Sequence, residues 1–242
     1  HKIQLTNGDF KPVSNLITSD EIKACYSWAI HDPQVDDMDD FELGVIAGWF
    51  MADGNLLKAA TRLQFAVGIH EFDCLSYLNE LLIKHIGDVP YTTNHAQKPQ
   101  TCKLLTYYAI HQVSKAFELG IVVDDKRTFT LEDKSKSFKL GFLRAMITTD
   151  GTIRSVIKNG WANHTLEIYS NDRHLCENLL RTMMEFGIYG SISVPGNSRA
   201  YIGSDGKQRN TQTTFKFRTA DPIAMTILLP FNAYKAERLK NW

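Results

Sequence analysis

The stretch Phe41–Gly54 reads Phe-Glu-Leu-Gly-Val-Ile-Ala-Gly-Trp-Phe-Met-Ala-Asp-Gly, and Phe138–Gly151 reads Phe-Lys-Leu-Gly-Phe-Leu-Arg-Ala-Met-Ile-Thr-Thr-Asp-Gly. Phe, Leu, Gly, Asp and Gly recur at one offset. Gly44, Gly48 and Ala52 fall four residues apart, as do Gly141, Ala145 and Thr149, so each copy predicts a helix carrying one stripe of small side chains. Such stripes let two helix backbones touch. Gly just past the last turn is the usual left-handed stop of a helix, and it is expected here at Gly54 and Gly151.

That stop leaves Asp53 and Asp150 in an unfavourable place. A helix C-terminus carries partial negative charge, so a carboxylate there is disfavoured by roughly 0.3–1 kcal/mol when exposed. If the stripes pack on each other, the two carboxylates also come together, and a divalent cation between or beside them relieves the repulsion. Asp-Gly is a common turn, and either copy alone would mean little. The same acid at the same place on the same stripe, twice, predicts a metal site.

Ile46–Gly54 and Leu143–Gly151 resemble the paired nine-residue motifs of LAGLIDADG homing endonucleases in their double-motif, single-chain form. The resemblance implies an α+β fold of two pseudo-symmetric αββαββα halves, packed across the motif helices, each offering a curved, saddle-like antiparallel sheet to DNA. It also implies Asp53 and Asp150 as catalytic metal ligands, with the backbone carbonyls of Ala52 and Thr149 joining them. Cleavage across the minor groove to leave short 3′ overhangs follows from the same source. So does a basic or polar residue near each metal, for which His111 and Arg218 are the candidates.

Composition agrees with a soluble chain of one large or two medium domains: of 242 residues, 43% are hydrophobic and 22% charged. No apolar run approaches a membrane span, and no signal-peptide pattern opens the chain. Cys25, Cys74, Cys102 and Cys176 show no C-x-x-C spacing, so reduced packing residues in an intracellular protein are expected. His70, His95, His111, His164 and His174 have no helical ligand spacing, and no phosphate-cradling Gly-rich motif occurs. A nucleotide-hydrolysing or dinucleotide enzyme is unsupported.

Net charge is zero, which by itself argues against a nucleic-acid binder. Its distribution does not. Residues 1–42 hold three Lys/Arg against nine Asp/Glu, leaving 24 against 18 in the rest. An excess of that size, gathered on one face, suffices to track phosphates.

The first forty residues stand outside the repeat. His1–Val13 predicts a hairpin around Asn7-Gly8. With Leu16, Asp20 and Ile22 it resembles the stretch of intein splicing domains that begins at a histidine and runs Gly, Phe, Val, Leu, Asp, Ile. On that reading the chain is a trimmed piece, the endonuclease part of an intein, and is not expected to splice. Residues 32–40 read as an acidic, turn-rich linker.

After Gly54 the period changes from helix to strand. Strands are predicted at Asn55–Ala59 and Arg62–Gly68, a helix at Phe72–Ile86 stopped by Gly87, strands at Tyr91–Ala96 and Thr101–Ile110, and a short helix near Ser114–Leu119. Val123–Lys136 reads as a charged linker. The order then returns: strands at Ile153–Lys158 and Thr165–Ser170, a helix at Arg173–Phe186, strands at Tyr189–Val194 and Gln212–Arg218, and a last helix around Ile223–Leu229. Order repeated at this scale means two like halves. The expected divisions are an arm and linker over residues 1–40, a first half over 41–122, a linker over 123–137 and a second half over 138–242.

The sheets are where a DNA sequence would be read. Phe215 and Phe217 alternate with Lys216 and Arg218, with Gln212 on their polar side; Arg154 shares a face with Lys158, and Arg62 with Gln64. Lys103 leads the matching strand of the first half, but Leu105 and Tyr107 share its face. Arg, Lys and Gln on a ribbon suit the major groove, where a bidentate pair with a base edge contributes about 1–3 kcal/mol of discrimination. A half-solvated sheet alternates in the same way for no functional reason. The Pro195–Asn210 connection, with Arg199, Lys207 and Arg209, is either a basic loop reaching along the duplex or a disordered tip.

These readings converge on a monomeric, Mg²⁺-dependent endonuclease for a long pseudo-palindromic or asymmetric duplex target, with Mn²⁺ able to substitute and Ca²⁺ supporting binding only. Two alternatives use the same fold: an RNA-binding intron maturase, and a non-catalytic DNA-binding regulator. Retention of both acids speaks against the last.

Overall fold

The computed structural model of the chain describes residues 2–4, 10–12, 15, 17, 35–57, 61–96, 98–158, 161–194, 200–202, 208–210, 214–221, 224 and 227–240. The chain divides into two compact units, His1–His31 and Asp32–Trp242. In the first, β1 (Lys2–Gln4) pairs antiparallel with β2 (Phe10–Pro12), Ile3 opposite Lys11. The expected Asn7-Gly8 turn lies outside the described residues.

The second unit opens with α1 (Met38–Asp53), a turn earlier than its apolar pattern suggests. The acids read as linker are in fact its N-terminus: the Asp37 side chain caps it by accepting from the Asp40 N–H, and Asp39 and Asp40 fill the first turn. Acids are favourable there. Then come β3 (Gly54–Leu57), β4 (Arg62–Gly68), a 3₁₀ segment (Ile69–Cys74), α2 (Leu75–Ile86), β5 (Tyr91–His95), β6 (Lys98–Tyr107) and α3 (Ile110–Glu118). A short 3₁₀ turn at Lys126–Thr128 follows.

The second half repeats the order with α4 (Lys136–Thr149), β7 (Gly151–Lys158), β8 (Trp161–Ser170), α5 (Arg173–Glu185), β9 (Ser191–Ser193) and, beyond a long connection, β12 (Phe215–Thr219). That connection is neither plain loop nor plain tip where it is described, because β10 (Ala200–Ile202) and β11 (Gln208–Asn210) pair as a ribbon. The described terminal helix, α6 (Ala233–Lys240), was not evident from the sequence; of the helix expected around Ile223–Leu229, Ala224 and Ile227 are described as helical.

Each half builds one four-stranded antiparallel sheet, β3-β4-β6-β5 and β7-β8-β12-β9. The registers correspond: Gly54 lies opposite Phe65 as Gly151 lies opposite Ile168, and Gln64 opposite Thr106 as Glu167 lies opposite Arg218. The fold is therefore α+β, two like halves packed across α1 and α4.

Those two helices are apolar nearly all round and mostly buried, so they pack on their sheets with one side and on each other with the small stripe. A Cβ on Gly44 would overlap the Phe138 carbonyl, and one on Gly141 the Phe41 carbonyl. One on Gly48 would stand 2.5 Å from the Phe142 oxygen and 2.8 Å from the Ala145 Cβ. The backbones touch because nothing larger than Gly or Ala separates them. Caps fix the register at the other end, where Ser135 caps α4 and the Ser137 hydroxyl accepts from the Asp37 N–H at 3.1 Å.

The glycines after the acids play another part than expected. Gly54 is extended, with φ −85° and ψ 154°, and Gly151 also lacks a positive φ. A Cβ at Gly54 would meet the Phe50 Cα at 2.5 Å, and one at Gly151 the Ile147 Cα at 2.7 Å. Glycine is needed because the chain leaves each helix straight into a strand lying on that helix's last turn. Of the three expected stops only Gly87 has a positive φ, 88°, and with ψ 159° it is a glycine conformation other than the left-handed helical one.

Candidate active site and nucleic-acid interface

Packing the two stripes brings both acids to one place. Asp53 is the last residue of α1 and Asp150 follows the last residue of α4. Both remain open to solvent, yet enough protein surrounds them to raise both carboxyls. The Asp150 carboxyl is pushed up to about 6 by burial and then by the charge of Asp53, and Asp53 is raised by burial. The shift means that protons are held more tightly in the folded chain between pH 4 and 6, so this group's contribution is fully present below the ordinary value of 3.8 and is lost as pH rises through 6. Its full size would be ~3 kcal/mol; solvent screening at an open group reduces it to ~1 kcal/mol. Asp150→Asn should therefore melt ~2–4 °C above the wild type at pH 7.5, with the gap closing towards pH 4. Differential scanning fluorimetry without divalent ions checks this.

A lysine meets each helix end. Lys126 Nζ donates to the carbonyls of Met51 at 3.0 Å and Gly54 at 2.7 Å, with the Phe50 ring 4.9 Å away. Lys235 Nζ donates to the carbonyls of Ile147 (3.0 Å), Thr148 (2.6 Å) and Thr149 (2.7 Å). These ammonium groups answer the last unsatisfied carbonyls and the negative end of each helix dipole. Burial lowers both, Lys126 to about 8, while the two acids oppose the shift. The segment carrying Lys235 is itself tied to α4, since the Asn232 amide donates to the Thr148 carbonyl and the Phe231 N–H to the Thr148 hydroxyl.

A third acid joins from the 3₁₀ segment. Glu71 is half-buried and raised by burial, with Lys235 opposing and Asp53 reinforcing the shift. Beside it, His70 stacks on Tyr234, centroids 4.8 Å apart, and Asp73 accepts from the Ala233 N–H at 2.6 Å. In the second half the corresponding position, counted along the matched strands β4 and β8, is His174 rather than an acid. On that side a cleft of about 350 Å³ opens between Ala52, Lys126, Asp150, Tyr169 and Asn171.

Sequence reasoning offered His111 and Arg218 as the basic neighbours. The cations acting on the acids are instead Lys126 and Lys235. His111 lies on α3, 3.5 Å from Asp88, and the Arg218 guanidinium 3.9 Å from Glu167. Both lysines come from segments without apolar periodicity, so pattern gave no signal for them. Of the two expected backbone ligands, the Thr149 carbonyl already accepts from Lys235, whereas Lys126 takes the carbonyls on either side of Ala52.

The outer faces of the sheets follow from register. On the second, Thr152, Arg154, Glu167, Tyr169, Lys216 and Arg218 point away from the core residues Ile153, Leu166, Ile168 and Phe217. Lys158 has the parity of Arg154 at the far end of β7, opposite Trp161. On the first, Arg62 and Gln64 face outward beside Thr106, to whose hydroxyl the Gln64 amide donates at 3.2 Å. The Arg62 guanidinium lies over the Tyr108 ring, and its buried Nε finds no hydrogen-bond partner among the described residues. Lys103 does not belong to this face: it stands opposite buried Val67, with its ammonium over the Phe72 ring. Of the basic connection, Arg209 lies on β11 opposite Tyr201, and Arg199, Lys207 and Gln212 fall outside the described residues.

Among the described residues no helix is long and apolar enough to cross a membrane. Among the described residues one further group could hold an ion, Asp39, Glu42 and His85, but Lys84 already sits on its two carboxylates at 2.6 and 2.7 Å.

Comparison with known proteins places this architecture. The model of the LAGLIDADG-like domain family matches residues 137–214. The solved structure of I-DmoI in complex with DNA and Ca superposes with a TM-score of 0.55 over 85% of this chain and 100% of that one, at 12% identity. Mesophilic variants from the homing endonuclease I-DmoI give 0.52 over 79% of this chain and 98% of theirs, at 13% identity. Full-length DUF199/WhiA from Thermatoga maritima gives 0.51 over 86% of this chain, at 14% identity. The chain spans 62% of the length of that protein. No curated protein matches the chain. Residues 137–214 thus carry the signature of a LAGLIDADG-like domain, and the paired halves share the fold of these solved structures.

Proposed function

We propose that this protein is a sequence-specific endonuclease that hydrolyses both strands of duplex DNA with a divalent cation, acting as a monomer because both acids lie on one chain. The observation that carries this reading is the pair of acids, Asp53 and Asp150, at the ends of two helices in backbone contact, each helix end holding its own lysine. The likeness to I-DmoI, solved with DNA and Ca and with DNA and Mn, supports it.

The site fits such a cation. Its donors are hard carboxylate oxygens, the type that Mg²⁺, Mn²⁺ and Ca²⁺ accept. Asp53 and Asp150 repel each other enough to help raise Asp150 to about 6, a cost that a dication between them removes. These two carboxylates would hold it, with the Ala52 carbonyl beside them. A bound cation polarises the phosphate and lowers the pKa of its water.

The rest falls to the chain. Lys126 Nζ, with its value near 8, is an ammonium at neutral pH and offsets charge that builds on a phosphate or leaving oxygen in the cleft. Lys235 Nζ does so at the other helix end. The outer sheet faces hold the duplex in register, phosphate contacts giving affinity and base edges giving choice.

Incubating a plasmid library with randomised inserts and Mg²⁺, then sequencing the ends of linear products, tests the reading. One recurring sequence at the cut is expected, and uncut plasmid throughout would overturn it. Lys126→Met and Lys235→Met should each slow cleavage about 10²-fold or more while leaving DNA binding within a few-fold. Each should do so more on one strand, so nicked circles accumulate. Equal slowing on both strands would show that the lysines act on a shared centre.

A further inference from the structure

The outer face of the second sheet, expected to be plainly basic, has a carboxylate at its centre. Glu167 is 5% exposed although it points away from the core. Its oxygens are fully engaged: Arg154 Nε at 3.2 Å, Lys216 Nζ at 3.2 Å, Arg218 Nε at 3.9 Å, and the Tyr169 hydroxyl donating at 2.7 Å. Arg154 also donates to that hydroxyl at 3.3 Å. Burial would raise this carboxyl, but Tyr169 and the lysine and arginine around it outweigh that and hold it low. A carboxyl held below its ordinary value is an anion at neutral pH.

The first half shows what the position does without charge. There Gln64 stands where Glu167 stands, Leu57 where Arg154, Leu104 where Lys216 and Thr106 where Arg218. A neutral pair on one sheet therefore corresponds to a four-membered charged cluster on the other. The cluster also adjoins the chemistry: Glu167 lies opposite Thr152, two residues beyond Asp150, and Tyr169 lines the cleft that Asp150 and Lys126 share.

We propose that Glu167 is a specificity-determining positioning residue, a clamp that fixes Arg154, Lys216 and Arg218 in one arrangement and withholds part of their charge from DNA of the wrong sequence. The inference rests on the DNA-binding reading above. An acid in a phosphate-facing surface reduces attraction to every duplex equally. An exposed acid could also accept from a cytosine edge, but Glu167 is covered and its oxygens are taken, so it favours one duplex through what it does to its neighbours. Long cations lose rotamer freedom on binding, and ordering them beforehand lowers that cost for the base edges that match their fixed geometry. A duplex that does not match meets three cations already occupied by a carboxylate, which disfavours the wrong partner rather than rewarding the right one.

Glu167→Gln keeps the shape and the Tyr169 contact while removing the charge. Binding is measured by fluorescence anisotropy to a labelled 40-bp duplex of random sequence across a KCl series, and by selection from a randomised duplex library. The variant should bind the random duplex about 3- to 10-fold more tightly, with a log–log salt slope steeper by about one. Its selected sequences should lose preference at the positions of one half-site and keep it at the other. A protein merely loosened by the change would bind more weakly, not more tightly. Glu167→Asp, which keeps the charge but shortens its reach, should leave the salt slope unchanged and lose the same half-site preference; it also serves if circular dichroism shows the glutamine variant unfolded. Unchanged slope and unchanged half-site preference in the variants, with wild-type protein binding DNA, would overturn the clamp alone. Failure of the wild type to bind any duplex would overturn both the clamp and the DNA reading.

Discussion

Asp150→Asn and Asp53→Asn should each give no linear product from a supercoiled plasmid carrying the selected target, a loss of at least about 10³-fold, or ~4 kcal/mol of transition-state stabilisation. Asparagine keeps the shape of the side chain and removes the charge that holds a cation. The two acids stand beside Lys126 and Lys235, whose ammonium groups would then be less balanced by carboxylates, so binding to duplex in Ca²⁺ should be kept or tightened. Two outcomes divide the mechanism. A nicked intermediate that accumulates without linearising means that each acid serves one strand, and inert supercoiled plasmid means that the cation is shared. Linearisation by both variants at near wild-type rates would end the catalytic reading of these helix ends, and retained binding would then favour a regulator on the same fold.

What could be read from the chain follows the physics of each element. The duplicated stripe was legible because its cause is local: Gly or Ala every fourth residue has one use in a buried helix, and the structure puts the Phe138 and Phe41 carbonyls against Gly44 and Gly141. Strands were legible where apolar residues alternate, as at Leu63, Phe65 and Val67. Alternation does not say which face is inward when both are mixed. Leu105 and Tyr107 share the face of Lys103, and register against Val67 turns that face to the core. Lys126 and Lys235 reach carbonyls 72 to 88 positions away, and no pattern within either segment marks them. Glu71 depends in the same way on the turn that follows β4. The Glu167 cluster lay in plain alternation on three strands, but only the pairing of those strands brings its members together.

Gly44→Ala and Gly141→Ala test the contact on which the site depends. In an exposed helix, replacing Gly by Ala stabilises by up to ~1 kcal/mol, since Ala has the better helix propensity. Here the sign should reverse. The added methyl would overlap a backbone carbonyl of the opposite helix in both cases, and at Gly141 it would also stand 3.0 Å from the Val45 nitrogen. Backbone cannot rotate away as a side chain can, so the helices must part. Overpacking of this kind costs ~1–3 kcal/mol and occasionally more, and the urea midpoint should fall accordingly in each variant. Cleavage should fall further than stability explains, because parting α1 from α4 also separates Asp53 from Asp150. Glu80→Ala, at an exposed position of α2, is the control and should leave the midpoint within ~0.5 kcal/mol. Wild-type midpoints in both glycine variants would mean that the two helices do not touch along this stripe, and the shared site at their ends would lose its foundation.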